Sequence, residues 1–181
     1  KIIVGAQNCH KNSDNGPFTG SINCKMLKSA GAKFVIVGHS ENREKDNNSD
    51  INKKIKSALK EKLNVIFCIG ETFNEKKKKL TKLVLKKQIN IGLKNIKKIN
   101  NILIAYEPRW SIGTGVIPKN SDLKKTLKTI RDLLISKNKN FKKNKILYGG
   151  SVNSKNVREI VKIQDIKGLL VGGASLKPKK F

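Results

Sequence analysis

AYEPRWSIGTG, residues 105–115, ends an apolar run and changes character within two residues. The run 102–106 (ILIAY) is β-branched and aromatic, as a strand buried on both faces requires. Glu107 follows at its end, Pro108 pins the backbone, and Trp110 offers a large anchor. Gly113 and Gly115 then supply a small, flexible tip. A carboxylate at a strand terminus, followed by a hinged loop with a glycine tip, predicts a general base beneath a lid.

Working outward, runs of the same kind occur at 2–6, 33–37, 64–69, 145–148 and 168–171. Amphipathic stretches lie between them. Residues 50–62 place Ile51, Ile55, Ala58 and Leu59 on one side. Residues 75–98 carry Leu80, Leu83, Val84, Ile91 and Leu93 opposite a lysine face. Residues 121–136 open on Ser121 as an N-cap and align Leu123, Leu127, Ile130 and Leu134. A short helix is expected over 154–161, and Met26 is expected in the core. Six strands alternating with helices predict an α/β fold with a parallel sheet.

The polar residues and glycines fall in register with that alternation. Asn8 follows the first strand, His39-Ser40-Glu41 the second, Gly70-Glu71 the third and Glu107 the fourth. Gly149-Gly150-Ser151 follow the fifth, and Gly172-Gly173 the sixth. All candidate functional groups therefore sit at the C-terminal ends of strands, the face on which α/β barrels build their sites. The two double glycines admit close backbone approach to an oxyanion such as phosphate. Cys68 and Glu71 read as structural, His10 as a loop residue, and Lys76 to Lys79 as a solvated helix face.

Composition narrows the function further. The chain has 181 residues and is 37% hydrophobic, enough for one domain with a substantial core. No apolar run approaches a membrane span, and no secretory leader pattern opens the sequence. Cys9, Cys24 and Cys68 are odd in number and lack metal-ligand spacing, which predicts reduced thiols in a cytoplasmic protein and no bound metal. The net charge is +27, but 36 of the 40 basic residues are lysines scattered along helices, and only nine residues are aromatic. Nucleic-acid readout favours arginine forks and exposed aromatics, so the charge argues against a nucleic-acid partner. Lys, Asn and Ile abound, the residues of A/T-rich codons, and the charge reads as compositional drift whose field still attracts anions.

Seven segments occur in a recognisable order: GAQN (5–8), GPFTGSI (16–22), VGHSENR (37–43), CIGE (68–71), AYEPRWSIGTG (105–115), YGGSVN (148–153) and LLVGGASL (169–176). Along essentially its whole length the chain resembles the triosephosphate isomerase family. The resemblance implies a single (β/α)8 TIM-barrel domain, incomplete in this chain: about six βα units over 1–181. The first two units are expected to be absent, and 176–181 to be a stub of the last helix. It implies interconversion of dihydroxyacetone phosphate and D-glyceraldehyde 3-phosphate, in glycolysis and gluconeogenesis, with no cofactor. This family is itself the example through which a glutamate base paired with a histidine electrophile is taught. By resemblance Glu107 is the base and His39 the electrophile, with Gly113, Ser151, Gly172 and Gly173 gripping phosphate. Asn8, Glu41 and Ile112 support the site. Thr19 lies on a loop that reaches a partner subunit, implying a homodimer.

The chain departs from the family pattern at three places. Asn42 and Arg109 replace an arginine and a small aliphatic residue, and Arg109 carries no assigned role. The family's leading strand brings an Asn and a catalytic Lys, for which no replacement is present, so this segment alone is expected to be poorly active. The alternatives are a degenerate, inactive isomerase remnant and a basic anion- or nucleic-acid-binding protein. An aldolase-type barrel is disfavoured, because no lysine sits at a strand end to form a Schiff base.

Overall fold

The structure is a computed structural model, and it describes residues 2–178. Its centre is where the sequence places it. β3 (Asn64–Ile69) and β4 (Ile102–Tyr106) have the expected bounds and pair in parallel, Val65 opposite Ile102 through Ile69 opposite Tyr106. Around them stand β1 (Gly5–Ala6), β2 (Phe34–Val37), β5 (Ile146–Tyr148) and β6 (Ile166–Leu169). All pairings are parallel and follow chain order, β1-β2-β3-β4-β5-β6. Alternate residues point to opposite faces. Phe67, Ile104, Ile146 and Tyr148 join the large core under the helices. Cys68, Ala105 and Leu147 face the other way and form a smaller cluster with Ile36, Ile66, Leu103 and Leu170. Those two faces are the outside and inside of a barrel wall, so the incomplete-barrel expectation holds.

The edges differ from the sequence reading. β1 keeps two of the five expected residues, and Ile2 is 94% exposed. A strand neighboured on one side only loses half its ladder, and here Val4 O still accepts from Lys33 N before regular pairing begins. β6 starts two residues early because a bulge intervenes: Ile146 pairs with Ile166, but Tyr148 pairs with Leu169. Lys1 and residues 179–181 of the expected C-terminal stub lie outside the described residues, and residues Gly173–Leu176 form a 3₁₀ turn.

The helices also move. α1 (Cys24–Ser29) escaped the sequence reading; Asn23 caps it by accepting from Met26 N, and Met26 is 46% exposed rather than core. α2 (Asn48–Lys60) begins two residues early because Asn47 caps it, and it stops before Lys62, whose φ is +60°. The expected helix 75–98 is two helices. α3 (Phe73–Lys77) starts in a Thr72/Glu75 capping box. Lys79, at φ +57°, turns the chain before α4 (Thr81–Gly92). The break resets the helical phase: Leu85 and Ile89 enter the core, whereas Leu83 is 62% exposed. α5 (Asn120–Lys137) starts one residue ahead of Ser121, with Lys119 at the cap position and no side-chain cap. α6 (Val157–Val161) is shorter than expected, since Asn153 and Asn156 form a turn before it.

Candidate active site

The C-terminal ends of the strands converge on one cavity of about 710 Å³. β1 brings Asn8, β2 brings His39, β4 brings Glu107, β5 brings Gly149 to Ser151, and β6 brings Gly172 and Gly173. Ile112 and Gly113 reach in from the loop after β4. Every residue named from sequence for chemistry, phosphate contact or support therefore lines one space. Thr19 does not; it is exposed on the loop between β1 and α1.

Glu107 is 1% exposed. Its backbone N–H donates to Ile69 O at 2.7 Å, extending the β3–β4 ladder by one step, so the side chain leaves from a rigid strand end. Oε2 accepts from Ser40 N at 3.0 Å. Oε1 is buried with no hydrogen-bond partner. His39 Nε2 stands 3.3 Å from it, outside hydrogen-bond alignment, and the weakly donating Cys68 thiol lies beside the carboxylate. Burial dominates and raises the Glu107 carboxyl above its ordinary value, although His39 and the Ser40 N–H oppose it. A carboxylate with one oxygen anchored and the other desolvated and unpartnered is a base prepared to take a proton.

Two glycines make room for it. A Cβ on Gly70 would collide with the Glu107 carbonyl oxygen, and one on Gly149 would come 2.9 Å from Glu107 Cγ. Gly149 thus serves close packing against the carboxylate, a role the sequence reading did not assign it.

His39 caps a 3₁₀ turn over Ser40–Asn42. Its Nδ1 accepts from Glu41 N at 3.4 Å, which fixes the tautomer with the proton on Nε2, the nitrogen facing Glu107 and the cavity. The Glu41 carboxylate is 83% exposed and 3.8 Å from Nδ1, so its backbone does the orienting. Asn8 donates to Asn42 Oδ1 at 3.2 Å and accepts from Lys54 Nζ at 3.1 Å, and Lys54 is itself paired with Asp46.

The lid is tied at both ends. Trp110 Nε1 donates to the buried Glu71 at 3.0 Å, and Tyr106 OH donates to the same carboxylate at 3.2 Å. Lys76 lies 3.9 Å over the indole ring. At the tip, Gly115 N donates to Ser151 Oγ at 3.2 Å, and that hydroxyl donates to Ser111 O. Glu71 is thus the structural anchor that the sequence suggested.

Two further groups brace the site: Gln88 escaped that reading, whereas Arg43 stands where the resemblance implies a basic partner. Gln88 on α4 brackets the Gly70 peptide, accepting from Gly70 N and donating to Gly70 O, both at 2.9 Å. Arg43 donates to Cys68 O at 2.7 Å and to Asn48 Oδ1 at 3.0 Å; burial draws its guanidinium down to about 10. The signal for Gln88 was its spacing, since it shares the apolar face of Leu85, Ile89 and Gly92.

The sequence model of the triosephosphate isomerase family matches residues 1–181. The chain belongs to the triosephosphate isomerase family. A triosephosphate isomerase of Alkaliphilus metalliredigens is 46% identical over 187 residues, covering all of this chain and 75% of that one. One from Mesomycoplasma hyopneumoniae is 44% identical, covering all of this chain and 72% of that one. The crystal structure of triosephosphate isomerase from Bartonella henselae superposes with a TM-score of 0.91 at 36% identity, over 99% of this chain and 74% of that one. The chain is accordingly an aldose–ketose isomerase of the triosephosphate isomerase family, whose reaction interconverts dihydroxyacetone phosphate and D-glyceraldehyde 3-phosphate in glycolysis.

Proposed function

We propose that Glu107 and His39 carry the proton transfers of this isomerisation. Glu107 Oε1 takes a proton from the carbon beside the substrate carbonyl, while His39 Nε2–H donates to the carbonyl oxygen. The negative charge that develops on the enediolate is met by that donor; His39 then carries a proton from the neighbouring hydroxyl to the former carbonyl oxygen, and Glu107 returns its proton to the neighbouring carbon. The observation that carries this reading is the buried, unpartnered Oε1 facing His39 Nε2 across the cavity. Desolvation supports it, because a raised carboxyl is a stronger base.

Gly113, Ser151, Gly172 and Gly173 hold the phosphate. A Cβ at Gly113, Gly172 or Gly173 would meet nothing within 4 Å, so their backbones border open space that an oxyanion can enter. Asn8, Glu41 and Ile112 support this arrangement, and the lid shields the enediolate from water. No Lys or Arg lines the cavity among the described residues. The protein works as a cytoplasmic homodimer, with the loop around Thr19 as its reach towards the partner. All three cysteines are free, and no described helix is long and apolar enough to cross a membrane.

The test is Glu107→Gln, with solvent deuterium incorporation into the triose phosphates followed by NMR, an assay sensitive to slow turnover. The rate is expected to fall about 10²–10⁴-fold with substrate affinity little changed. A variant that keeps more than a tenth of the unsubstituted chain's rate would overturn the assignment.

A further inference from the structure

The proton chemistry leaves two buried thiols unused, and they stand at the two feet of the loop between β1 and α1. His10 N donates to Ile22 O at 2.8 Å, which brings the chain just after β1 against the chain just before α1. Cys9 immediately precedes the first of these residues, and Cys24 lies two beyond the second. Both are buried in the same core cluster, and each thiol acts on the other's titration, raising Cys9 and lowering Cys24.

The surroundings suit reaction more than inert packing. Cys9 lines a cavity of about 450 Å³, together with Asn8, Ser21, Asp46 and Lys54. Ser57 Oγ is buried without an ordinary hydrogen-bond partner, and the group it faces is the Cys24 thiol. The neighbouring Cys9 thiol, with Ser57 and the Lys54 charge close by, outweighs burial and the Glu61 charge and draws the Cys24 thiol below its ordinary value. Cys68 provides the contrast: it is fully buried, and desolvation beside Glu107 pushes its thiol well up.

We propose that Cys9 and Cys24 form a redox-active pair that a small peroxide converts to a disulfide closing the loop between β1 and α1. The deprotonated thiol attacks one peroxide oxygen; the O–O bond breaks, hydroxide leaves, and the proton already released from the thiol returns to it as water. The sulfenic acid formed is then displaced by the other thiol, which gives the S–S bond and a second water. Two thiols lose two electrons and two protons, and one hydrogen peroxide becomes two waters. The link covalently joins two chain segments that the His10–Ile22 bond already holds together, and it fixes the foot of a loop whose base carries Asn8 to the active-site cavity. The pairing stands apart from the role assigned to Thr19.

The test treats the folded 181-residue chain with hydrogen peroxide in slight excess, quenches it, then unfolds it and labels free thiols with iodoacetamide before mass spectrometry. The expected product has lost the mass of two hydrogens. Its Cys9 and Cys24 labelling falls at least about tenfold, while Cys68 labels as before. Tryptic cleavage after Lys11 leaves fragments joined until a reductant is added. Cys24→Ser is expected to abolish the mass loss, and Cys68→Ser to preserve it. Oxygen adducts on Cys9 or Cys24 without the link, a link through Cys68, or thiols that all remain labelled would each overturn the proposal.

Discussion

The middle of the sheet and its margins are built to different tolerances. β3 and β4 are paired on both sides, and from Phe67 to Ile69 and Ile104 to Glu107 no residue is more than marginally exposed. At the margin beside β1, Ile2, Ile3 and Val4 are exposed, and the loop that follows is held to α2 by surface pairs such as Lys11–Asp50 and Lys60–Asp14. The proposed base sits on the stiff part, whereas the glycines proposed to hold phosphate and the loop carrying Thr19 sit on the soft part. Proton transfer needs sub-ångström placement, and a phosphate grip or a partner contact tolerates adjustment. Substitutions packed against Glu107 should therefore be costly in stability and rate together, and substitutions in the margin loop should cost little stability.

The largest effect is expected at Gly70→Ala. The new methyl would occupy the position of the Glu107 carbonyl oxygen, and neither strand can yield without losing its ladder. The expected cost is about 3 kcal/mol or more in denaturant unfolding, with at least about a 10²-fold loss of rate from displacement of the base. A variant with ordinary stability would show that the centre is more pliant than its packing implies.

Gln88→Leu comes next. It keeps the volume but leaves the buried Gly70 N–H and C=O unpaired, at about 2–3 kcal/mol. Because Gln88 acts on Glu107 only through Gly70, it is a positioning residue. Its rate loss should fall on kcat with KM unmoved, and Gln88→Glu, which retains an acceptor for Gly70 N, should recover part of it. Loss of stability without any change in kcat would reduce Gln88 to a packing role.

These two sites also show how far the sequence could be read. Continuous apolar runs in β3 and β4 set their own boundaries, and Glu107, the residue after the second run, fell at the cavity without any knowledge of neighbours. Gln88 needed the tertiary contact: nothing local says that its amide faces a glycine peptide 18 positions away. The split of α3 from α4 turned on a single left-handed Lys79, a conformation that lysine composition does not encode. At the margins, β1 and β6 depend on how many partners a strand has, which periodicity cannot report.

A smaller effect, of opposite sign, follows from the same burial. Because the Glu107 carboxyl is raised in the folded chain, the folded state holds its proton to higher pH than the unfolded state does. Stability is therefore lost as pH climbs from the ordinary carboxylate value of 4.5 through the raised one. Glu107→Gln removes that loss. The variant should unfold at higher denaturant than the unsubstituted chain at neutral pH, and the gap should close below pH 4.5. A gap that persists in acid would mean that the amide gains by packing rather than by avoiding a buried charge.

The margin supplies the smallest effect on the chain itself. Phe18 stacks on His10 at 4.4 Å within the exposed loop, away from both core clusters. Phe18→Ala should therefore shift unfolding by no more than about 0.5 kcal/mol. If the loop reaches a partner, the same change should weaken self-association at least about tenfold in sedimentation equilibrium, since aromatic anchors dominate such contacts. The two readouts separate the alternatives. Stability lost without any change in association would make the loop part of the chain's own core, and the contrast between a stiff centre and a soft margin would fail where it is most exposed.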